Sequence, residues 1–138
     1  MSRNKSAILI VEDEQDWRTL LSENLDSYDV TFAEDYAKAI NVIKASSFDA
    51  IILDLRLEDR DDENFQGMEL LALLREKEKA KDWNTNVIIV SAYGTPQQVR
   101  EGFKIHCLFD YILKQKFDKR EYREIVRQAI SNRRPKGS

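Results

Sequence analysis

The sequence predicts an α/β protein in which a parallel sheet of five strands is covered by helices on both faces. Five short runs rich in Ile, Val and Leu recur along the chain, and their length is typical of buried strands. Between them lie amphipathic stretches whose apolar residues repeat at helical spacing. Because strand and helix alternate five times, we expect a parallel sheet with right-handed crossovers.

The predicted strands are all short, and polar residues flank the second one. They are expected at Ala7–Val11, Val30–Ala33, Ala50–Leu55, Val87–Val90 and Phe109–Leu113. Five helices are predicted from apolar residues at helical spacing. These residues are Trp17, Leu20, Leu21 and Leu25; Tyr36, Ile40 and Ile43; Met68, Leu70, Leu71 and Leu74; Val99 and Phe103; and Tyr122, Ile125, Val126, Ala129 and Ile130.

Length and composition indicate one globular domain. We expect it to span residues 1–138, with a core over about 7–132 and a flexible tail at 133–138. The formal net charge of −3 predicts no direct nucleic-acid binding. One cysteine, Cys107, excludes an internal disulfide and a cysteine-based zinc site. No apolar run approaches the ~20 residues that span a membrane, so a cytoplasmic protein without membrane insertion is expected.

Polar side chains follow four of the predicted strands. Glu12 and Asp13 follow the first strand, Asp54 ends the apolar part of the third, Ser91 follows the fourth and Lys114 follows the fifth. In open parallel sheets, ligands bind beyond the carboxyl ends of the strands. We therefore expect carboxylates, a hydroxyl and an ammonium group to meet at one edge of the sheet.

The predicted cluster has the parts that phosphoryl transfer needs. Carboxylates a few ångströms apart repel one another unless a cation joins them, and Mg²⁺ prefers oxygen ligands. An aspartate can act as a nucleophile and form an acyl phosphate. Lys114 and the metal would neutralise the phosphoryl oxygens, and Ser91 would donate a hydrogen bond. Asp54 is therefore a candidate phosphorylation site.

Each residue also has a simpler interpretation. The acidic run Glu12 to Glu14 is typical of a helix N-terminus, where acids interact favourably with the helix dipole. Ser91 could be an ordinary strand-end hydroxyl, and Lys114 a solvated lysine. The functional interpretation is favoured because the residues occur together, each at its own strand end.

Four motifs in order resemble the receiver domain of two-component response regulators. They are ILIVEDE, IILDLRL, VIIVSAYGT and FDYILKQKF, within a resemblance that runs from about Ala7 to Ile130. The resemblance implies a (βα)5 flavodoxin-like fold, a three-layer α/β/α sandwich with strand order 2-1-3-4-5. It also implies a phosphoprotein in two-component signal transduction.

The resemblance assigns the metal and phosphate positions. Asp54 would be the phosphoacceptor, and Mg²⁺ would be the cofactor. Glu12 and Asp13 would be the acidic pair that binds the metal, with Asp13 as the direct ligand. Asp54 and the backbone carbonyl of Arg56 would complete the protein ligands.

The resemblance also assigns the catalytic contacts, the switch and the partners. Ser91 and Lys114 would contact the phosphoryl group, and Ser91 and Tyr111 would change position on activation. The alternative for Tyr111 is a half-buried strand aromatic. A histidine kinase or phosphotransfer protein would be the donor. A downstream protein would bind the face of helix 4, strand 5 and helix 5, and phosphorylation could produce a homodimer. Catalysis would be limited to self-phosphorylation and autodephosphorylation.

Three positions depart from the family pattern. Position 12 is Glu where Asp is commoner, so the side chain reaches one methylene further. The acidic loop 56–66 is longer than usual and is expected to be a solvated flap. Gln115 follows the lysine where the family usually has proline, which leaves the cis peptide at that position open.

Other functions fit the sequence less well. A degenerate receiver that never takes phosphate, and acts only through protein contacts, remains the alternative. The glycines at 67, 94, 102 and 137 cannot form a dinucleotide-binding or P-loop motif. A phosphatase of the haloacid dehalogenase type would need a second Asp where Arg56 stands. His106 lies beside Cys107, away from the predicted site, which argues against a hydrolase triad.

Overall fold

A computed structural model of the protein describes residues 5–54, 70, 72–76, 85–92, 96–105 and 108–132. Within them the chain alternates strands and helices as the sequence predicts. The strands are β1 (Ala7–Val11), β2 (Asp29–Ala33), β3 (Ala50–Leu53), β4 (Asn86–Ser91) and β5 (Asp110–Leu113). The helices are α1 (Gln15–Glu23), α2 (Tyr36–Ala45), α3 (helical at residues 70 and 72–76), α4 (Pro96–Ile105) and α5 (Lys119–Ser131). A short 3-10 helix, Lys114–Lys116, follows β5.

The five strands form one parallel sheet in the order β2-β1-β3-β4-β5. The predicted fold class and strand order are therefore confirmed. Side chains on β1 alternate between two apolar cores, so Ile8 and Ile10 face one side while Leu9 and Val11 face the other. The first core includes residues of α1 and α5, and the second includes residues of α2 and α3. This arrangement is a three-layer sandwich whose central strands are buried on both faces.

Two helices begin at an aspartate that caps them. The Asp35 carboxylate accepts a hydrogen bond from Lys38 N at 2.8 Å at the start of α2, and Asp118 accepts one from Arg120 N at 2.9 Å at the start of α5. These contacts satisfy backbone donors that the first helical turn leaves without partners. Glu14 occupies the same position in α1, but its side chain makes no capping hydrogen bond.

Some predicted boundaries are wrong by one or two residues. β3 ends at Leu53 and not at Leu55, because Leu53 is paired with the last residue of β1, Val11. β5 begins at Asp110 and not at Phe109, although Phe109 N donates to Val87 O at 2.8 Å. Leu25 lies beyond the end of α1 and remains buried in the core.

Several predictions fall outside the described residues. They concern Arg56, the acidic loop 56–66, His106, Cys107 and the tail 133–138. No described helix combines the length and the apolar character that crossing a membrane requires.

Candidate phosphoryl and metal site

The register of the sheet brings the strand ends to one edge. Val11 is paired with Leu53, so Glu12 and Asp54 each follow their strand by one residue. Asp54 N donates to Val11 O at 3.0 Å, which fixes the backbone of the two strand ends against each other. On the neighbouring pair of strands, β4 and β5, Ser91 is paired with Leu113, the residue before Lys114. The predicted convergence of these groups is therefore observed.

Asp54 and Lys114 form a buried ion pair. The Lys114 Nζ atom lies 3.2 Å from Asp54 Oδ2, and their side chains are 6% and 4% exposed. A carboxylate this deeply buried is costly unless it is paired or hydrogen-bonded. Lys114 is thus not a solvated surface lysine, and it supplies positive charge beside the Asp54 carboxylate.

Glu12 reaches the same ammonium group from the end of β1. Its Oε1 atom lies 2.8 Å from Lys114 Nζ, and its Oε2 atom accepts a hydrogen bond from Glu14 N at 3.1 Å. The Arg18 guanidinium donates to Glu12 O at 2.9 Å and holds the backbone in place. Oε1 is buried and accepts no well-directed hydrogen bond from any described residue. One oxygen of Glu12 therefore has strong electrostatic contact with Lys114 but spare capacity as a ligand.

Three carboxylates crowd this edge. Oxygen atoms of Glu12, Asp13 and Asp54 lie within 4.8 Å of one another. Burial raises the pKa of Glu12 to about 8, and the negative charge of Asp54 adds to this effect. Burial also raises the pKa of the half-buried Asp13, again with a contribution from Asp54. The cluster thus holds more negative charge than one ammonium group can neutralise, and it favours either a bound proton or a cation.

The ammonium group of Lys114 remains charged in this setting. Burial by itself lowers the pKa of Lys114, but the negative charges of Asp54 and Glu12 outweigh burial. The pKa is consequently raised above its ordinary value. A fixed cation beside a nucleophilic carboxylate is suited to receive an anionic phosphoryl group.

Ser91 and Tyr111 lie on the strands that flank this cluster. Ser91 is the last residue of β4 and is fully buried. Tyr111 is half-buried on β5 and packs against the core that includes α2 and α3. Burial, together with the charge of Asp54, raises the pKa of its hydroxyl to about 12. Both positions agree with their predicted places at the site edge, while their roles stay predictions.

Two residues at the start of α1 contact Lys114, although neither was predicted from the sequence as a partner of that lysine. Glu14 Oε2 lies 3.4 Å from Lys114 Nζ, and the centre of the Trp17 ring lies 4.9 Å from the same atom. Helical spacing identified Trp17 only as a core residue, because a periodic pattern reports the buried face and not what the tip of a side chain covers. Glu14 was seen as part of an acidic run, and its distance from Lys114 in the sequence gave no signal of contact.

Comparisons with known proteins agree with this geometry. A receiver domain from Methanospirillum hungatei JF-1, described as CheY-like, superposes with a TM-score of 0.78 at 19% identity, covering 93% of this chain and 95% of its own. At that identity the likeness shows the fold alone. The non-phosphorylated HemR receiver domain from Leptospira biflexa superposes with a TM-score of 0.78 at 31% identity, covering 95% of this chain and 98% of its own.

Sequence comparisons identify the family. Sporulation initiation phosphotransferase F of Bacillus subtilis (strain 168) is 29% identical over 125 residues, which are 89% of this chain and 92% of that protein. The family model described as response regulator receiver domain matches residues 8–127. The resemblance carried by the four motifs is thereby confirmed. The chain belongs to the response regulator receiver domain family of two-component systems.

Proposed function

We propose that this receiver domain accepts a phosphoryl group on Asp54 in a Mg²⁺-dependent reaction. The observation that carries the proposal is the buried Asp54–Lys114 pair at 3.2 Å, set beside a cluster of three carboxylates with oxygens within 4.8 Å. Nucleophile, fixed cation and metal ligands are the groups that phosphoryl transfer uses. Receiver domains interact with histidine kinases or phosphotransfer proteins, and we propose such a protein as the donor.

The residues present fit a magnesium ion. Glu12, Asp13 and Asp54 offer oxygen ligands only, and Glu12 Oε1 is buried without a well-directed hydrogen bond from the described residues. Mg²⁺ accepts one or two carboxylates together with waters and phosphate oxygens. When bound, the ion supplies positive charge to the equatorial phosphoryl oxygens. The backbone carbonyl of Arg56, outside the described residues, is the further ligand that the family resemblance implies.

The protein groups then have distinct tasks. An oxygen of Asp54 attacks phosphorus and forms a new P–O bond. The bond from phosphorus to the donor breaks at the same centre, and its electron pair leaves with the donor nitrogen or, for acetyl phosphate, the acetate oxygen. Lys114 stays protonated and binds one phosphoryl oxygen, while the Ser91 hydroxyl donates a hydrogen bond to another.

The proposed output is a change of partner affinity at the α4–β5–α5 face. Ser91 moves toward the new phosphoryl group, and Tyr111 takes the space that Ser91 vacates. The added phosphoryl charge thereby shifts the balance between two arrangements of these side chains. Phe103 on α4 and Leu113 on β5 are 42% and 39% exposed, and among the described residues the third large apolar side chain with such exposure is Phe32 on β2. The exposure of Phe103 and Leu113 supports this face as a contact surface for a downstream protein or for a second phosphorylated copy. We propose that the protein acts in the cytoplasm, because it must meet the kinase or phosphotransfer protein that donates the phosphoryl group.

The test is phosphorylation by acetyl phosphate with Mg²⁺, read as intact mass. We expect the wild type to gain one phosphoryl group and Asp54→Asn to gain none. EDTA should abolish the gain in the wild type. Asp118→Asn is the matched control, because it makes the same substitution at an exposed helix cap that has no observed contact with Asp54 or Lys114. An adduct that survives Asp54→Asn would contradict the proposal.

The degenerate receiver is the alternative outcome of the same experiment. A wild type that gains no mass from acetyl phosphate and binds no beryllofluoride would be a phosphorylation-independent interaction module. The filled set of acceptor, acidic pair and lysine argues against that outcome, because a site released from chemistry has no physical reason to keep three repelling carboxylates together.

A further inference from the structure

The start of α1 contacts Lys114 with two side chains outside the proposed metal and phosphate ligands. Glu14 is the N-cap residue of α1, and Trp17 lies in the first turn of that helix. Glu14 Oε2 lies 3.4 Å from Lys114 Nζ, and the centre of the Trp17 ring lies 4.9 Å from it. The ring lies within the distance at which an aromatic face attracts an ammonium group.

The Trp17 ring is itself held in place by other aromatic rings. It meets Phe117 in an edge-to-face contact with centres 5.4 Å apart and planes at 86°, and Phe117 meets Tyr122 at 5.2 Å. Tyr122 is fully buried, and its hydroxyl donates to Leu21 O at 3.1 Å. The row Trp17–Phe117–Tyr122 therefore ties the indole both to the backbone of α1 and to α5.

Trp17 differs from the other partners of Lys114 in carrying no charge. Glu12, Glu14 and Asp54 all draw the ammonium toward a carboxylate, and each competes with an incoming phosphoryl oxygen for its protons. An aromatic face attracts the cation without offering an acceptor that must be displaced. It also covers part of the lysine side chain, which is only 6% exposed, and limits the access of water.

We propose that Trp17 is a positioning residue for phosphoryl transfer to Asp54. Its indole holds the Lys114 ammonium at the acceptor while the hydrogen bonds of that ammonium change from carboxylates to a phosphoryl oxygen. The proposal rests on the proposed function, because positioning Lys114 matters only if Asp54 takes the phosphoryl group.

The test compares the rates at which variants gain a phosphoryl group from acetyl phosphate with Mg²⁺, below their melting temperatures. Trp17→Leu keeps an apolar side chain and removes the aromatic face, so the rate should fall roughly tenfold. Trp17→Phe keeps an aromatic face and should recover most of that loss. Tyr28→Leu is the matched control, because Tyr28 packs against the same core and has no contact with Lys114 among those observed; its rate should equal that of the wild type.

A second readout reports the contact without the chemistry. In the metal-free wild type, the ε-methylene proton resonances of Lys114 should be shifted upfield by the indole ring, and Trp17→Leu should remove the shift. The positioning role alone is overturned if Trp17→Leu is phosphorylated at the wild-type rate. It is also overturned if Trp17→Phe is phosphorylated as slowly as Trp17→Leu. A wild type that takes no phosphoryl group overturns this role and the proposed function together.

Discussion

Polar side chains are buried at both ends of the strands, and the partners they find there differ. At the amino end, Thr85 Oγ1 donates to Phe48 O at 2.6 Å. Asn86 Nδ2 donates to Ala129 O at 2.8 Å and to Asn132 O at 3.1 Å, at the last turn of α5. These groups are neutral, and backbone carbonyls satisfy them. They connect β4 to the segment before β3 and to the end of α5.

At the carboxyl end the buried polar side chains include two carboxylates, Glu12 and Asp54, beside the neutral Ser91. Oxygen atoms of Glu12, Asp13 and Asp54 lie within 4.8 Å of one another, and Glu12 and Asp54 pair with the ammonium of Lys114. Glu14 adds a third carboxylate contact to that ammonium from the surface. Burial and mutual repulsion raise the pKa of Glu12 to about 8. The comparison teaches that burial of a polar group is not itself a sign of function. The sign is a buried set whose charges the protein leaves uncompensated.

The largest expected effect is the loss of the cation at the carboxyl end. Lys114→Met keeps the length of the stem and removes the charge, which leaves Glu12 and Asp54 buried without it. The free energy of unfolding should fall by about 3 kcal/mol at pH 8, as for other broken buried ion pairs. The rate of phosphorylation should fall roughly a hundredfold. Thermal denaturation and intact mass measure the two effects.

Lys116→Met is the control for that substitution. Lys116 is an exposed lysine in the same 3-10 helix, so its removal should change neither quantity. A Lys114→Met protein as stable as the wild type would show that the carboxylates do not depend on the ammonium group.

The second-largest expected effect is a loss of stability when Asn86, at the amino end of β4, is substituted. Asn86→Ala removes one buried and one partly buried hydrogen bond and leaves the carbonyls of Ala129 and Asn132 without this donor. We expect a loss of about 2 kcal/mol, or about 6 °C in Tm, that is the same at pH 6 and pH 8.5 and with or without Mg²⁺. Asn132→Ala, which leaves the backbone acceptor in place, should cost much less. If the stability loss of Asn86→Ala depended on Mg²⁺, the amino ends of the strands would not differ from the carboxyl ends in the way described.

The smallest effect is the pH dependence that the carboxyl end imposes. The pKa of Glu12 is about 8 in the folded protein and 4.5 when unperturbed, so the folded state binds the extra proton between these values. Its contribution to stability is therefore complete below about pH 4.5 and is lost as the pH rises through 8. In metal-free protein, the unfolding free energy should therefore decrease from pH 5.5 to pH 8.5.

Glu12→Gln sharpens this test because it fixes the side chain in a neutral form. The Tm of the variant should equal that of the wild type near pH 5.5 and exceed it at pH 8.5. Its Tm should therefore vary less with pH. Saturating Mg²⁺ should reduce the slope of the wild type, since a bound cation replaces the proton. Equal slopes for the metal-free wild type and Glu12→Gln would refute the shifted pKa.

The sequence was sufficient for the element order and for the groups at the strand ends, because both depend on local patterns. Apolar runs marked β1 and β3, and the residue after each run was polar. The strand order was different, since periodicity does not say which strands are neighbours, and the order came from the resemblance. Even that order leaves β3 and β4 between β1 and β5, so the 2.8 Å contact of Lys114 with Glu12 could not be read from it.

The remaining features depend on tertiary contacts that leave no local signal. In the sequence Asn86 is a polar residue before a predicted strand. The residues around it do not indicate that its side chain bonds to the end of α5. Leu25 fits the helical repeat of α1, yet the helix stops at Glu23 and a turn carries Leu25 back to the core, with its N–H bonded to Ser22 O at 2.9 Å. Such contacts require the packed chain.

The position of Lys114 in the chain has a consequence for synthesis. It lies 60 residues after Asp54 and 100 residues after Glu14. During synthesis, Asp54 and the acidic residues therefore leave the ribosome well before Lys114, and the buried ion pair cannot form until β5 docks beside β4. A nascent or misfolded chain has the aspartate but not the charged pair. If Asp54 is the phosphoacceptor that we propose, its phosphorylation reports a completed fold as well as an active donor.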